Sequence, residues 1–235
     1  MCFIVRMVNI ARVAAVRAFF VLCPPLTHAS QPGALSSARV GAAAIIHEIN
    51  VARANPRLYA DLIERMRLSY SGNVRQTPGG IALRTQEGVR ALDEAIRFLR
   101  SAQPEQTLAL SPGLCQAAAD HCRDQSGGRM GHHGSDGSNP GLRINRYGAW
   151  QGGWAENIAY GQRSAREIVM ALIIDDGVRG RGHRRNIFNA SYNVAGAAYG
   201  PHARFGAVCD IDFAAAYQDR GVASAQSRAS DRRSS

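Results

Sequence analysis

The chain of 235 residues contains no lysine, so all 28 of its basic residues are arginine. The lack of lysine excludes a P-loop nucleotide site, a Schiff-base lysine and a Ser–Lys catalytic dyad. The G-x-S-x-G nucleophile elbow is absent, and so is the H-E-x-x-H zinc-protease motif, because His47-Glu48 has no second histidine at the required spacing. These absences remove several large classes of nucleotide-binding proteins and hydrolases.

The net charge of +10 is partly peripheral. Residues 1–29 carry +3 and residues 219–235 carry +2, so half of the excess lies in the two ends. The arginines are not interleaved with aromatic residues and form no recognisable reading element. We therefore expect no nucleic-acid partner and interpret the arginine usage as a composition bias, although arginine also suits anionic ligands.

No apolar run reaches the roughly 20 residues that a membrane-spanning helix needs, and we expect no integral membrane span. The shorter run from Ala14 to Cys23 follows Arg6 and Arg12 and precedes small residues suited to cleavage. This pattern predicts a signal peptide over residues 1–29. A secreted, periplasmic or extracellular protein is therefore expected.

Cysteine is scarce, with five residues and no C-x-x-C pair, so the cysteines do not indicate a metal site. Cleavage of the signal peptide would leave Cys115, Cys122 and Cys209, an odd number. Cys115 and Cys122 lie on one predicted helix, about 10 Å apart along its axis, which is too far for a disulfide. Either Cys209 pairs with one of them or all three are buried thiols.

Hydrophobic periodicity predicts helices first and strands late. The first helix is predicted over residues 42–53, and the second begins at the N-cap Asn55-Pro56, with Leu58, Leu62 and Met66 on one stripe. A third helix is predicted from Thr85 to before Pro104. Two more begin after Ser111-Pro112 and after the capping box Ser164-x-x-Glu167. Strands are predicted over Ala155–Tyr160, Tyr192–Tyr199 and Phe205–Phe213. A short turn joins the last two, so they are expected to be antiparallel. Residues 69–84 are expected to be irregular. This order predicts an α+β domain in which helices cover a sheet.

The chain is accordingly divided into four parts. Residues 1–29 are the signal peptide, residues 30–39 a flexible lead-in, residues 40–217 one domain and residues 218–235 a disordered tail. One domain of this length is ample for a hydrophobic core. No internal repeat is present.

The titratable groups that attract attention lie in two glycine-flanked stretches and one motif between them. These are Gly131-His132-His133-Gly134, Gly182-His183-Arg184-Arg185-Asn186 and, between them, Glu156-Asn157-Ile158. Glycine lets a loop approach closely, so each imidazole can point inward, where it can bind a metal, polarise a water or hold a polar ligand. The alternative is that each histidine only caps a turn, as most histidines do.

These motifs come in an order and spacing that resemble the CAP family of SCP-like extracellular proteins, in its bacterial branch. The resemblance rests on His132-x-x-x-Asp136-Gly137, Glu156-Asn157-Ile158-Ala159-x-Gly161 and Gly182-His183-Arg184-x-Asn186-Ile187, with an opening helix like Glu48-Ile49-Asn50-x-x-Arg53-x-Asn55-Pro56. It covers roughly residues 40–217. It implies a three-layer α-β-α sandwich with a small antiparallel sheet between helices, and a large cleft.

In the family, two histidines and two acidic residues converge in that cleft. The resemblance assigns these positions to His132, His183, Glu156 and Asp175. Asp175 departs from the pattern, because Leu172 stands at the place of a tryptophan and the acid is one methylene shorter. His132 and His183 are the expected ligands if the site holds Zn²⁺.

The neighbours of these residues are given structural roles. His133 is expected to face solvent, Asn157 and Asn186 to bond loop backbone, and Glu156 either to orient a histidine or ligand or to accept backbone N–H bonds. The loop arginines are expected to be solvated and paired with Asp175 and Asp176; they are Arg179, Arg181, Arg184 and Arg185.

The sequence leaves two functions open. The first is a secreted, non-catalytic domain whose cleft binds a small lipidic, polar or cell-envelope ligand and, as an option, a divalent metal. The second is a zinc-dependent peptidase or esterase, with His132 and His183 on the metal and Glu156 as the general base. We favour the first because no nucleophile is recognisable and only two neutral ligands are firm.

Overall fold

The computed structural model describes residues 40–77 and 82–220. The predicted signal peptide, the lead-in up to residue 39 and the tail from residue 221 lie outside these residues. The helices of the described ranges are α1 (Ala42–Ala54), α2 (Pro56–Met66), α3 (Val89–Ser101), α4 (Pro112–Gln125), α5 (Pro140–Tyr147), α6 (Ala165–Ile174) and α7 (Gly182–Ile187), with a short 3₁₀ turn at Arg67–Ser69. The strands are β1 (Tyr70–Ser71), β2 (Val74–Gln76), β3 (Ala82–Arg84), β4 (Ala109–Leu110), β5 (Gly148–Tyr160), β6 (Val194–His202) and β7 (Gly206–Asp219).

The predicted helix starts are confirmed at three caps. The side chains of Asn55, Ser111 and Ser164 each accept a bond from a backbone N–H of the first helical turn. Asn139 caps α5 in the same way before Pro140, a start that the sequence analysis missed.

The main sheet has the strand order β4-β6-β7-β5. β7 pairs antiparallel with β5 and β6, whereas the two-residue β4 runs parallel to β6. Strand β5 pairs with one neighbour and is therefore an edge strand. The antiparallel arrangement predicted for the late strands is confirmed, and one short parallel pair is added.

Helices cover both faces of this sheet, because consecutive residues of β7 contribute to different cores. Ile211 and Phe213 pack with α1, α2, α3 and α6, and Ala214 packs with Leu114 of α4 and Ile144 of α5. The α+β class and the three-layer sandwich are thus confirmed.

Two local predictions are wrong. Residues 70–76 and 82–84 form a small antiparallel sheet, β1-β2-β3, whose strands of two or three residues are too short to show a period. In α2 the buried face carries Tyr59 and Ile63, while Leu58 is 42% exposed. The predicted stripe is therefore wrong at Leu58, while Leu62 and Met66 are partly buried against the core.

The long strands begin earlier or end later than predicted. β5 starts at Gly148 instead of Ala155, with a register shift between Gln151 and Trp154. Gly152 and Gly153, both with positive φ, form this bulge and break the alternation on which the prediction depended. β7 continues through Asp219, so ordered structure passes the proposed domain end at residue 217.

The side chain of Arg53 ties α1 to the segment that follows α7. It is completely buried and donates to the carbonyl oxygens of Gln106 (2.7 Å), Ile187 (2.6 Å), Asn189 (3.0 Å) and Tyr192 (3.3 Å). One guanidinium thus satisfies four carbonyl groups of irregular backbone. It anchors the chain on the C-terminal side of the His183 helix.

Helix α4 lies directly on β6 at Gly196. A Cβ at this position would overlap the backbone of Leu114 and Cys115, so only glycine permits the approach. The cysteines of the described ranges carry free thiols, with Cys122 and Cys209 buried and Cys115 half-buried. Of the two alternatives for the cysteines, the structure shows three unpaired thiols.

Candidate functional site

His132 and Glu156 form the first of two histidine–carboxylate pairs. His132 Nδ1 lies 2.6 Å from Glu156 Oε1, and the other carboxylate oxygen accepts a bond from Arg143. Arg143, on α5, also donates to the carbonyl oxygen of His132 at 3.1 Å from both terminal nitrogens. The imidazole is 33% exposed, whereas the carboxylate is 1% exposed. Glu156 therefore orients the ring from inside and leaves Nε2 for a ligand.

His183 and Asp175 form the second pair. His183 Nδ1 lies 2.6 Å from Asp175 Oδ1, and Asp175 Oδ2 accepts the backbone N–H of His183 at 3.0 Å. Asp175 ends α6 in the left-handed region, with φ of 55°, a conformation that aspartate tolerates better than most residues. The αL turn carries the chain out of α6, and the carboxylate then holds both the ring and the first turn of α7.

The two pairs are attached to neighbouring residues of one strand. Asn157 follows Glu156 on β5 and donates from Nδ2 to the carbonyl oxygen of His183 at 3.0 Å; Asn186 donates to Asn157 Oδ1 at 2.8 Å. The two histidine segments are thus attached to adjacent residues of the edge strand. The predicted bond of Asn157 to loop backbone is confirmed, whereas Asn186 bonds the side chain of Asn157 and not loop backbone; His133 is exposed as expected.

A cleft of about 830 Å³, including its opening, lies beside the second pair. Asp175 and His183 line it together with apolar side chains of β3, β5 and α6, among them Leu83, Leu172 and Ile174. His132 is not among the lining residues of this cleft. The structure thus brings each histidine to its carboxylate, and convergence of all four residues in one cleft stays a prediction.

One cationic group of the cleft has an unused donor. Arg75, on β2, lines the cleft, and its Nε is buried with no hydrogen-bond partner in residues 40–77 and 82–220. Burying a donor without an acceptor costs about 1–3 kcal/mol. The guanidinium of Arg75 therefore keeps an unsatisfied donor at the wall of the cleft.

The predicted pairing of the loop arginines is wrong. Arg181 binds Glu87 and Glu94 of the α3 region, and Arg184 is buried and donates to Glu94 as well. Asp175 instead holds His183, and Asp176 accepts the backbone N–H groups of residues 86 and 87. The arginine partners are distant in sequence, so local spacing could not identify them.

These ion pairs have an electrostatic consequence. The Arg181 guanidinium lowers the pKa of Glu87 from 4.5 to about 2 and also lowers the pKa of Glu94. Both carboxylates stay ionised at neutral pH, and Arg181 is held at the N-terminal end of α7. Arg181 and Arg184 are therefore held by these carboxylates, whereas Arg179 and Arg185 are exposed.

The sequence analysis missed two buried acids behind Glu156. Asp210 and Asp212, on β7, are completely buried, and the pKa values of both are raised well above the usual range by burial and by the charge of Glu156. Neither belongs to the motifs quoted above. The signal available in the sequence was an acid at alternate positions of an otherwise apolar strand.

A model of the CAP family, described as the cysteine-rich secretory protein family, matches residues 82–211. The chain belongs to this family. The matched range contains His132, Glu156, Asp175 and His183 of this CAP domain. No curated protein matches the chain.

Two solved structures are similar to 54% of the chain. One is an extracellular protein containing a SCP domain from Bacillus anthracis str. Ames, at 17% identity and a TM-score of 0.39, and the match spans 39% of that chain. The other is an outer surface protein from Borrelia burgdorferi, at 16% identity and a TM-score of 0.41, with 89% of that chain covered. In the part of this CAP domain that is described, no helix is both long and apolar enough to cross a membrane.

Proposed function

We propose that this CAP domain is an exported, non-catalytic binding module that takes a small amphipathic ligand with an acidic group into the cleft beside His183. The observation that carries the proposal is a mostly apolar cleft in which the buried Nε of Arg75 has no acceptor among the described residues. Small-molecule sites combine an apolar lining with few polar groups that fix orientation. Arg75 and His183 supply such groups.

Export is supported by the N-terminal pattern of residues 1–29 and by the secretory family to which the chain belongs. Expression of the full chain in a bacterial host, followed by fractionation and N-terminal sequencing, tests it. Export predicts a mature N-terminus close to residue 30; a cytoplasmic chain that begins at Met1 contradicts it.

Ligand binding is tested with hexadecanoate and, as its neutral counterpart, hexadecanol. We expect saturable binding of the acid by calorimetry and weaker binding of the alcohol. Arg75→Met is expected to weaken acid binding about tenfold, because a charge-assisted hydrogen bond contributes about 1.5–3 kcal/mol. Arg84→Met is the matched control, since Arg84 is exposed on the neighbouring strand β3 and does not line the cleft. Equal binding of acid and alcohol, or no binding of either, contradicts the proposal.

A metal at the two histidines is a second proposal, supported by a specific contact in each pair. Nδ1 of His132 and of His183 is held by a carboxylate, and this is how proteins commonly orient a metal-binding imidazole so that Nε2 faces the ion. These histidines would hold Zn²⁺, which polarises a bound ligand or water. Equal zinc content in the wild type and the His132→Ala/His183→Ala double variant would remove this proposal.

The same geometry speaks against the hydrolase alternative. A general base must reach the water that it deprotonates, but the Glu156 carboxylate is 1% exposed and its two oxygens are engaged by His132 and Arg143. Glu156 is better placed to orient His132 than to move a proton. Turnover of ester or peptide substrates that vanishes in Glu156→Gln while zinc content is unchanged would reverse this conclusion.

A further inference from the structure

Three carboxylates lie together in the layer between the main sheet and the helices α4 and α5. Glu156 is opposite Asp212 in the β5–β7 register, and Asp210 is two positions further along β7. Because Glu156, Asp210 and Asp212 are exposed by only 6%, 0% and 0%, water cannot stabilise their charges. A group in the same layer must therefore compensate them.

The protein groups that compensate them are insufficient. The four carboxylate oxygens of Asp210 and Asp212 accept no hydrogen bond from a donor group of the residues that the structure describes, and Asp210 lies within hydrogen-bonding reach of the Glu156 carboxyl group. Arg143 is the guanidinium whose charge acts on both aspartates, and it is bonded to Glu156. If all three carboxyl groups are ionised, the one arginine leaves two negative charges uncompensated. Either protons, which the raised pKa values of the two aspartates favour when no cation is bound, or a cation must supply the difference.

His121 provides a nitrogen atom beside these acids. It is 1% exposed, and its Nε2 lies 2.8 Å from the carbonyl oxygen of Gly131 and 2.6 Å from the side-chain amide nitrogen of Gln125. Nδ1 has no partner in the described part of the chain. With Nε2 donating to Gly131, Nδ1 carries the lone pair that an ion requires. Metal-binding imidazoles are commonly oriented in this way, by a bond of the second ring nitrogen to a backbone carbonyl.

One nitrogen of His121, one oxygen of Glu156 and one oxygen of Asp210 lie within 4.8 Å of one another. Two ligands of one ion, each about 2.0–2.2 Å from it, are separated by at most about 4.4 Å. Small side-chain movements would therefore close the three groups around an ion.

We infer that His121, Glu156 and Asp210 bind a divalent first-row transition metal in the interior of the domain, with Asp212 balancing its charge. The site shares Glu156 with the His132 pair, whereas His121 and Asp210 belong to neither histidine pair. It requires neither the ligand cleft nor zinc at His132 and His183. An imidazole with carboxylates suits Zn²⁺, Mn²⁺ or Fe²⁺ better than Mg²⁺ or Ca²⁺, which prefer oxygen ligands alone. A dication neutralises the two excess charges and gives the orphaned atoms a partner.

The interior position predicts that the metal enters during folding and leaves only on unfolding. The full chain is unfolded in denaturant with a chelator and refolded with Co²⁺ as the probe. We expect about one tightly held equivalent of Co²⁺ after gel filtration, with visible absorption bands, and a higher melting temperature than without metal. Refolded protein with native circular dichroism, no bound Co²⁺ and no metal-dependent stabilisation overturns the inference.

Two variants assign the ion to this site. We expect Asp210→Asn to retain no Co²⁺ after gel filtration, whereas the His132→Ala/His183→Ala double variant is expected to keep one equivalent. His47→Ala, at an exposed position of α1, is the control for nonspecific binding by histidine. If Asp210→Asn raises the melting temperature while no metal is found in the wild type, the acids share protons instead and the inference is wrong. If only the double variant loses its Co²⁺, the ion belongs to the His132 and His183 pairs, and the inference is wrong.

Discussion

Replacing Arg53 by methionine is expected to destabilise the domain. Methionine keeps much of the side-chain volume but leaves the carbonyl groups of Gln106, Ile187, Asn189 and Tyr192 without their donor. Each bond to a charged donor contributes about 1.5–3 kcal/mol, but four bonds to one group are not additive, and losing the guanidinium also removes its burial cost.

Each buried carbonyl group that is left unsatisfied costs about 1–3 kcal/mol, so a non-additive total of about 3–5 kcal/mol is expected for the four. With about 2–4 °C per kcal/mol for a domain of this size, the lower value corresponds to a fall in melting temperature of about 6–12 °C. Calorimetry and urea unfolding measure it. Arg53→Lys keeps the charge but not the planar donor array, and its melting temperature is expected to lie between those of the wild type and Arg53→Met.

The matched control is Arg57→Met, at an exposed position of the adjacent helix α2, where the change is expected to stay within about 0.5 kcal/mol. Hydrogen exchange localises the effect, because the amides that follow α7 should lose protection first. An Arg53→Met protein that melts within about 2 °C of the wild type refutes the reasoning, since a domain of this size would then have lost less than about 1 kcal/mol.

Three further predictions concern packing, pH and thiol reactivity. Gly196→Ala is expected to destabilise by about 1–3 kcal/mol or more in urea, because its Cβ would overlap α4, whereas Gly127→Ala meets no atom within 4 Å and should be tolerated. Glu87→Gln is expected to make the free energy of unfolding less dependent on pH in acid. The pKa of Glu87 is about 2 in the folded protein and 4.5 ordinarily, so the wild type loses the stabilisation by ionised Glu87 as the pH falls from 4.5 towards 2. Unfolding midpoints across that range check it, and equal slopes in both proteins contradict it. Burial raises the pKa of the Cys122 and Cys209 thiols, so peptide-level mass spectrometry should find them alkylated only after unfolding; rapid labelling of either in the native protein is the opposite result.

The fold was largely predictable where local rules decide the structure. Caps at Asn55, Ser111 and Ser164 identified helix starts because a cap is a short-range hydrogen bond that the sequence displays directly. The bulge at Gly152-Gly153 concealed the first half of β5, since it interrupts the alternation that marks a strand. Short elements such as α7 carry too few residues to show a period.

The candidate site was predictable as a set of residues and not as a set of contacts. The family resemblance indicated His132, Glu156, Asp175 and His183, but not which carboxylate holds which ring. These partners are 24 and 8 positions apart, and the strand and the αL turn bring them together. No spacing rule covers such distances.

Asp210 and Asp212 were missed for a different reason. In an antiparallel sheet with one solvated face, alternate polar residues of a strand point to water, and the acids of β7 fit that pattern. Here α4 and α5 cover that face, so the same alternation places two carboxylates in the interior. Whether the face of a strand is exposed to solvent or covered by helices depends on the fold of the whole chain, so the sequence of the strand alone does not reveal it.

The glycine bulge of β5 has a consequence for how the chain tolerates changes in length. Residues 148–151 and 154–160 pair with separate stretches of β7, and the bulge joins two independently registered ladders. An insertion at the bulge can be absorbed by residues that already break the pleat. One extra residue between Trp154 and Glu156 would instead turn Glu156 away from Arg143 and exchange it with its neighbour across the sheet. Insertions and deletions among relatives are therefore expected at the bulge and not in the part of β5 that follows it.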